Sequence, residues 1–243
     1  MSLNEKDLVD KVRELGPWHF KFPLPNGKIT TDYNKNKISE VNPFQLKGLF
    51  KRIYPNGLAG KSFLDIGCNS GGYCFLANQL GSTNTFGFDV RDHWINQAKF
   101  IRDHIYETNK DHVKFDVMHM HDLDKTKYDL VLFKGVLYHL PNPFSALEQV
   151  AAVTKEYLII DTAGSRDIPE DCMQIYFEKD GLMAGNDSIS WLPGSGKLIG
   201  HYLDYLGFAE WKVIMEKPYP DRRVKRGISN VPPLKRIRIL AKK

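Results

Sequence analysis

The residues best suited to chemistry open in one short stretch, Lys61-Ser62-Phe63-Leu64-Asp65-Ile66-Gly67-Cys68-Asn69-Ser70-Gly71-Gly72. An apolar run breaks at glycine and is followed by Tyr73–Leu80, which reads as a helix. The pattern predicts a buried strand, a turn and a helix N-terminus, whose unpaired N–H groups and positive dipole end favour an anion. Gly67, Gly71 and Gly72 lack a Cβ, so unusual dihedrals are cheap there and a ligand can lie against the backbone. A second acid, Asp89, closes the next apolar run, Thr85–Val90.

Two common nucleotide loops are excluded. A dinucleotide fingerprint needs glycine where Asn69 stands, and no Gly-Lys-Ser/Thr follows to make a phosphate-binding P-loop. What remains is Asp65-x-Gly67-x-x-x-Gly71 with Asp89 spaced behind it. An ionised carboxylate only accepts hydrogen bonds, so Asp89 suits a pair of ribose hydroxyls. Taken singly, Asp89 fits equally well as the N-cap of the helix after it. Farther along, Gly135-Val136-Leu137-Tyr138-His139 follows another apolar run, and Arg236 begins the last one. On residue type alone these read as packing (Tyr138), a turn cap (His139) and an edge-strand charge (Arg236).

The elements that must carry these residues alternate. Strands are predicted at Lys61–Ile66, Thr85–Val90, Val113–Met118, Tyr128–Phe133, Tyr157–Asp161, Lys212–Glu216 and Leu234–Ala241. Helices are predicted at Leu3–Leu15, Pro43–Ile53, Tyr73–Leu80, His93–Glu107, Pro143–Ala152 and Lys197–Leu206. Strand–helix alternation predicts an α/β, Rossmann-like, doubly wound sheet of seven strands, mostly parallel, with an antiparallel C-terminal strand. Trp18–Tyr33 reads as an irregular arm or short hairpin. Residues 1–55 thus form a helix and arm, and 56–243 the main domain, with an insertion at about 164–193 over the carboxyl ends of the strands.

At 243 residues, with 42% hydrophobic and 26% charged residues, the composition is that of an ordinary globular protein. No apolar run is long enough to span a bilayer. Cys68, Cys74 and Cys172 are odd in number and lack metal-ligand spacing, which predicts no metal site and a reduced, cytoplasmic setting, with Cys68 and Cys74 read as small buried thiols. Charge is uneven: Lys217–Lys243 holds ten Lys or Arg against Asp221, so it carries +9 and the rest of the chain −4. Such a basic end suits a polyanion as well as it suits water.

The loop, the spaced acid and the strand–helix rhythm together resemble the class I S-adenosylmethionine-dependent methyltransferases. That resemblance implies that Asp65, Gly67, Cys68, Asn69, Gly71 and Asp89 hold S-adenosylmethionine, with loop amides around Cys68–Ser70 on its methionine end. It also places Met120 and His121 beside the adenine. The Gly-Val-Leu-Tyr-His run is similar to the bacterial tRNA wobble-uridine carboxymethyltransferases, which alkylate a uridine 5-hydroxyl with carboxy-S-adenosylmethionine. Ile29–Tyr33, Leu192-Pro193 with the helix ending at Leu206, and Pro233–Arg236 carry the same likeness, which covers about Trp18 to Lys243.

The likeness implies that Tyr138 and Arg236 hold the cofactor's extra carboxylate, with Lys134 beside the transferred group. It implies tRNA as a partner through residues 217–243. The family's third carboxylate ligand is a lysine after a Pro-Trp pair; here Pro17-Trp18 is followed by His19-Phe20-Lys21, so that lysine is displaced or absent. His139, with an ordinary pKa near neutrality, is the candidate base for a hydroxyl acceptor. Two other expectations stand beside this one: a small-molecule or sugar O- or N-methyltransferase, and a non-catalytic relative that binds cofactor or RNA.

Overall fold

The computed structural model describes residues 3–36, 39–106, 109–177, 189–219 and 233–243. Its backbone resolves into two compact units, Met1–His119 and Met120–Lys243. The first unit opens with helix α1, Glu5–Glu14, started by Asn4, whose side chain accepts from the Asp7 N–H at 2.9 Å. The arm follows. Trp18, Phe20, Phe22 and Leu24 alternate inward and are all buried, as strand-like periodicity demands. Its regular pairing is limited to two isolated bridges, Phe20 with Val41 and Pro23 with Ile29, and a 3-10 turn at Thr30–Tyr33. The Trp18 indole is fully buried and donates to the Val12 carbonyl at 2.7 Å, so truncating it to alanine would cost about 3–5 kcal/mol.

Helix α2 runs Lys47–Ile53, shorter than the predicted Pro43–Ile53. Asn42 explains the difference: its side chain accepts from Phe44 N–H at 2.8 Å and its carbonyl from Gln45, which holds Pro43–Leu46 in turns. Strand β1 (Ser62–Ile66), helix α3 (Gly72–Gln79), strand β2 (Asn84–Asp89), helix α4 (Asp92–His104) and strand β3 (Val113–Val117) complete the unit. β1 pairs parallel with β2, and β2 with β3. Glu107, predicted as the end of the α4 helix, lies outside the described residues.

The second unit holds β4 (Tyr128–Lys134), α5 (Pro143–Val153), β5 (Thr154–Ser165), β6 (Met173–Phe177), β7 (Ile189–Pro193), α6 (Gly196–Tyr205), β8 (Glu210–Pro218) and β9 (Leu234–Lys242). β4 and β5 are parallel; β9 runs antiparallel to both β5 and β8. β5 is more than twice the predicted length because β9 pairs with it from Tyr157 to Ser165, a partner that local propensity cannot see. β6 and β7 form a separate antiparallel pair within the expected insertion. The basic link predicted at Pro218–Pro233 lies outside the described residues over 220–232.

The seven main strands stand in the order β3-β2-β1-β4-β5-β9-β8. The α/β, mostly parallel, seven-stranded expectation holds, and β9 is the antiparallel strand. None of the described helices is long and apolar enough to cross a membrane.

Candidate functional site

In the first unit, β1 delivers Asp65, which is 2% exposed, and the chain then turns through Gly67 at φ 71° and Asn69 at φ 51°. Both are left-handed. Asparagine tolerates this because its short side chain bonds locally, and here its Oδ1 accepts from Ser70 N–H at 2.7 Å. Asn69 therefore does the turning that a second fingerprint glycine would do. Asp89, at the end of β2, accepts from Asn69 N–H at 3.0 Å and from Arg91 N–H at 3.1 Å. Burial pushes its carboxyl above the usual range, partly opposed by those backbone donors. The N-cap of α4 is Arg91, so the reading of Asp89 as that helix's cap is corrected. Asp89 instead ties the glycine loop to the end of β2.

The amides of Cys68, Asn69, Ser70 and Gly71 donate within the protein, to Phe88 O, Asp89 Oδ2, Asn69 Oδ1 and Cys68 O respectively. These bonds stiffen the loop. The bare backbone at Gly71 and Gly72 also serves packing. A Cβ on Gly71, which sits at φ 79° and caps α3, would fall 2.5 Å from the Phe115 ring, and one on Gly72 2.4 Å from Phe20. Cys68 and Cys74 are buried; burial raises both thiols well above their ordinary values, with Cys74, Asp65 and Asp89 adding to the effect at Cys68 and Asp65 at Cys74. Among the described residues no cluster of His, Cys, Asp and Glu suits a metal ion.

In the second unit, Met120 and His121 fall in a 3-10 turn, Met120–Asp122, with the His121 side chain 73% exposed and 3.4 Å from Asp122. The Tyr-His run forms another 3-10 turn, Leu137–His139, with the two rings 3.9 Å apart. The structure brings Tyr138 and Arg236 near one another, close enough for the guanidinium charge to act on the phenol. Burial raises the Tyr138 pKa, with Arg236 opposing.

Beside Arg236 lies a residue the sequence reading missed. Asp161 of β5, with a side chain 1% exposed, takes the Arg236 Nε on one oxygen and the Arg238 Nε on the other at 2.6 Å. Lys134 stands 3.9 Å away. Burial alone would raise the Asp161 carboxyl; Arg236, Lys134 and Arg238 together outweigh it and hold the pKa below the ordinary value. Arg236 also donates to the Asp161 carbonyl at 3.3 Å. A sequence signal for Arg238 existed: Arg236-Ile237-Arg238-Ile239 has period two, which puts both arginines on one face of a strand. Lys21 of the arm pairs with Glu40 at 2.6 Å.

A methyltransferase domain model matches residues 58–197, more than half of the chain, and the chain belongs to that family, as an enzyme with the class I S-adenosylmethionine-dependent methyltransferase domain. Over 149 residues it is 30% identical to a protein named tRNA U34 carboxymethyltransferase from Nautilia profundicola, covering 51% of this chain and 49% of that one. The protein of the same name from Campylobacter jejuni is 24% identical over 225 residues, covering 89% and 70%. The matches span about half the length of the first two such relatives, 49% and 50%. Among solved structures, the N-terminal domain of EvdMO1, determined with SAH and D-fucose, superposes with a TM-score of 0.75 at 17% identity, covering 99% of this chain and 97% of that one. At that identity the likeness shows the fold.

Proposed function

We propose that this chain transfers a methyl group from S-adenosylmethionine to a hydroxyl of its acceptor. The observation that carries the reading is Asp89: a half-buried carboxylate closing β2 and clasping the left-handed turn at Asn69. An acid so placed accepts from ribose hydroxyls while its two backbone donors keep it oriented. Asp65, buried at the end of β1, is the acceptor for the methionine ammonium, and Gly67 gives the turn its left-handed start. Met120 and His121 are assigned to the adenine by position alone.

The bound cofactor supplies a sulfonium that already activates the methyl group. The protein's task is to align the acceptor oxygen for in-line attack, and positioning of this kind is worth about 7–11 kcal/mol. His139, held against Tyr138 in its 3-10 turn, is assigned as the base that takes the hydroxyl proton. Lys134 is assigned to lowering the acceptor's pKa through its charge.

Two acceptors have support. The names of the relatives and the basic stretch 217–243 favour the wobble uridine of tRNA, with carboxymethyl transfer as its variant through the neighbouring Tyr138 and Arg236. The near-complete mutual coverage with a domain solved with D-fucose favours a sugar hydroxyl. Calorimetry with S-adenosylhomocysteine tests the core of the reading: saturable binding by the wild type and loss of at least tenfold in Asp89→Ala are expected. Absence of binding refutes it. Nucleoside mass spectrometry of tRNA from a deletion strain then separates the acceptors, because an unchanged modification profile removes the tRNA reading.

A further inference from the structure

A buried amide pins the chain to α4 where α1 passes into the arm. Gln97 of α4 is fully buried, and its Nε2 donates to the Leu15 carbonyl at 2.6 Å and to the Pro17 carbonyl at 2.9 Å. An amide NH2 carries two hydrogens, and these carbonyls take both. They also fix which way the amide faces, because its oxygen in that place would meet two acceptors. One turn earlier, His93 Nε2 lies 3.2 Å from the same nitrogen. With a donor group facing it, that ring nitrogen is an acceptor, so neutral His93 carries its proton on Nδ1. The Gln97 Oε1 is buried and has no hydrogen-bond partner among the described residues.

A second imidazole joins the same contact. His19 of the arm and His93 both pack on Trp94, with ring centroids 5.1 Å and 4.7 Å from it. His19 Nδ1 donates to the Ser39 carbonyl at 2.8 Å, since a carbonyl can only accept. Burial lowers the His19 pKa; the Ser39 carbonyl opposes this, and Arg91 and His93 add to the fall. The other charged groups on these elements are engaged. Arg13 and Glu14 in the last turn of α1 pair with Asp10 and Lys11, Lys21 pairs with Glu40, and Asp92 accepts from the His93 N–H. The arm that this contact holds lies on the start of α3. Phe20 fills the space where a Cβ on Gly72 would stand and packs edge-on against Tyr73, centroids 5.2 Å apart.

We propose that His93 and Gln97 form a proton-sensitive latch, which holds the arm while His93 is neutral and releases it when His93 takes up a proton. A proton on His93 Nε2 sets donor against donor at the Gln97 NH2. The amide relieves this by turning its unpartnered oxygen to the imidazolium, and the Leu15 and Pro17 carbonyls then lose their donors. One amide cannot serve both arrangements. An imidazolium on the Trp94 ring gains cation–π attraction, which favours the proton but does not restore those two bonds. The sign follows from linkage. His19 is held neutral below its ordinary value of about 6.5, so docking is complete above that value and weakens as pH falls through the window beneath it. His19 takes up its own proton once released, which steepens the transition toward two protons per opening. The latch acts on the N-terminal end of α3 and does not depend on which ligand the preceding loop holds.

The test is amide hydrogen exchange on the full chain at about pH 7.5 and about pH 5.5, corrected for the intrinsic pH dependence of exchange. The reporters are Trp18, Lys21 and Val41, whose N–H groups donate to Asn34 Oδ1, the Val41 carbonyl and the His19 carbonyl. Their protection should fall at least tenfold at the lower pH while the amides of β1 keep theirs. His93→Gln offers an amide oxygen in place of the ring acceptor and does not titrate, so its arm should stay protected at both pH values. Gln97→Met keeps the volume and removes the donors, so its arm should be weakly protected at both. Equal protection of the wild type at the two pH values overturns the proposal, as does a fall that persists in His93→Gln. A fall shared by β1 overturns it too, because the whole unit would then be opening. Nitrogen-15 NMR of the wild-type imidazoles needs no variant: at the higher pH it should find neutral His93 protonated on Nδ1, and the opposite tautomer refutes the latch.

Discussion

Replacing Asp161 by asparagine removes the charge that ties β5 to β9 and keeps the side chain's size. Its carboxylate is 1% exposed and takes one Nε from each of two arginines that are 15% and 19% exposed. Leaving buried charges without their partner costs about 3–5 kcal/mol, and the residual hydration of both guanidiniums places this case near 3 kcal/mol. For a chain of this size, ~3 kcal/mol lowers the melting temperature by about 6–12 °C. The pH dependence fixes the mechanism. The folded carboxyl has a depressed pKa, so its stabilisation is complete above the unfolded value, near 4 for aspartate, and is lost as pH falls through the folded value. The wild type and the variant should therefore differ most near neutrality and converge at strongly acid pH. Melting both proteins by circular dichroism from neutral to acid pH measures this. A difference below about 0.5 kcal/mol at pH 7, or one that does not shrink in acid, would refute the assignment of Asp161 as an ionised clamp.

Other consequences are independent of that cluster. Gly71→Ala puts a Cβ into Phe115 in a left-handed conformation, and strain plus overpacking should cost about 2–5 kcal/mol by urea titration; Phe115→Leu in the same chain should recover part of it. Cys68 and Cys74, buried and with raised pKa values, should resist iodoacetamide in the native protein, whereas exposed Cys172 is alkylated at once. Mass spectrometry should show one adduct before unfolding in urea and three after, and rapid native labelling of Cys74 would contradict the packed loop.

Much of the frame was legible in the chain itself. The apolar runs, their bounding glycines and the intervening amphipathic stretches fix the order of strands and helices, because period and burial are local properties of sequence. Asp65, Gly67 and Asp89 could be singled out for the same reason: each sits at a strand end, where an element boundary marks it. Spacing also excluded the dinucleotide and P-loop readings, since a missing glycine is visible without a structure.

Only the tertiary structure decided what those residues touch. The amides of Cys68 and Asn69 donate to Phe88 and Asp89 of β2, and that of Ser70 to the Asn69 side chain, because the left-handed turn at Asn69 brings these groups together. Gly71 and Gly72 looked like ligand-facing backbone, whereas Phe115 and Phe20, distant in sequence, fill the space beside them. Tyr138 and Arg236 were singled out separately, but the carboxylate between two arginines came from β5, and nothing in Tyr157–Asp161 read alone announces that β9 will lie against it. Cross-strand register is set by pairing between segments some 75 residues apart, and that register puts Arg236 and Arg238 on the face that carries Asp161. The cluster at Asp161 is therefore a property of the fold, although each residue that makes it is written plainly in the sequence.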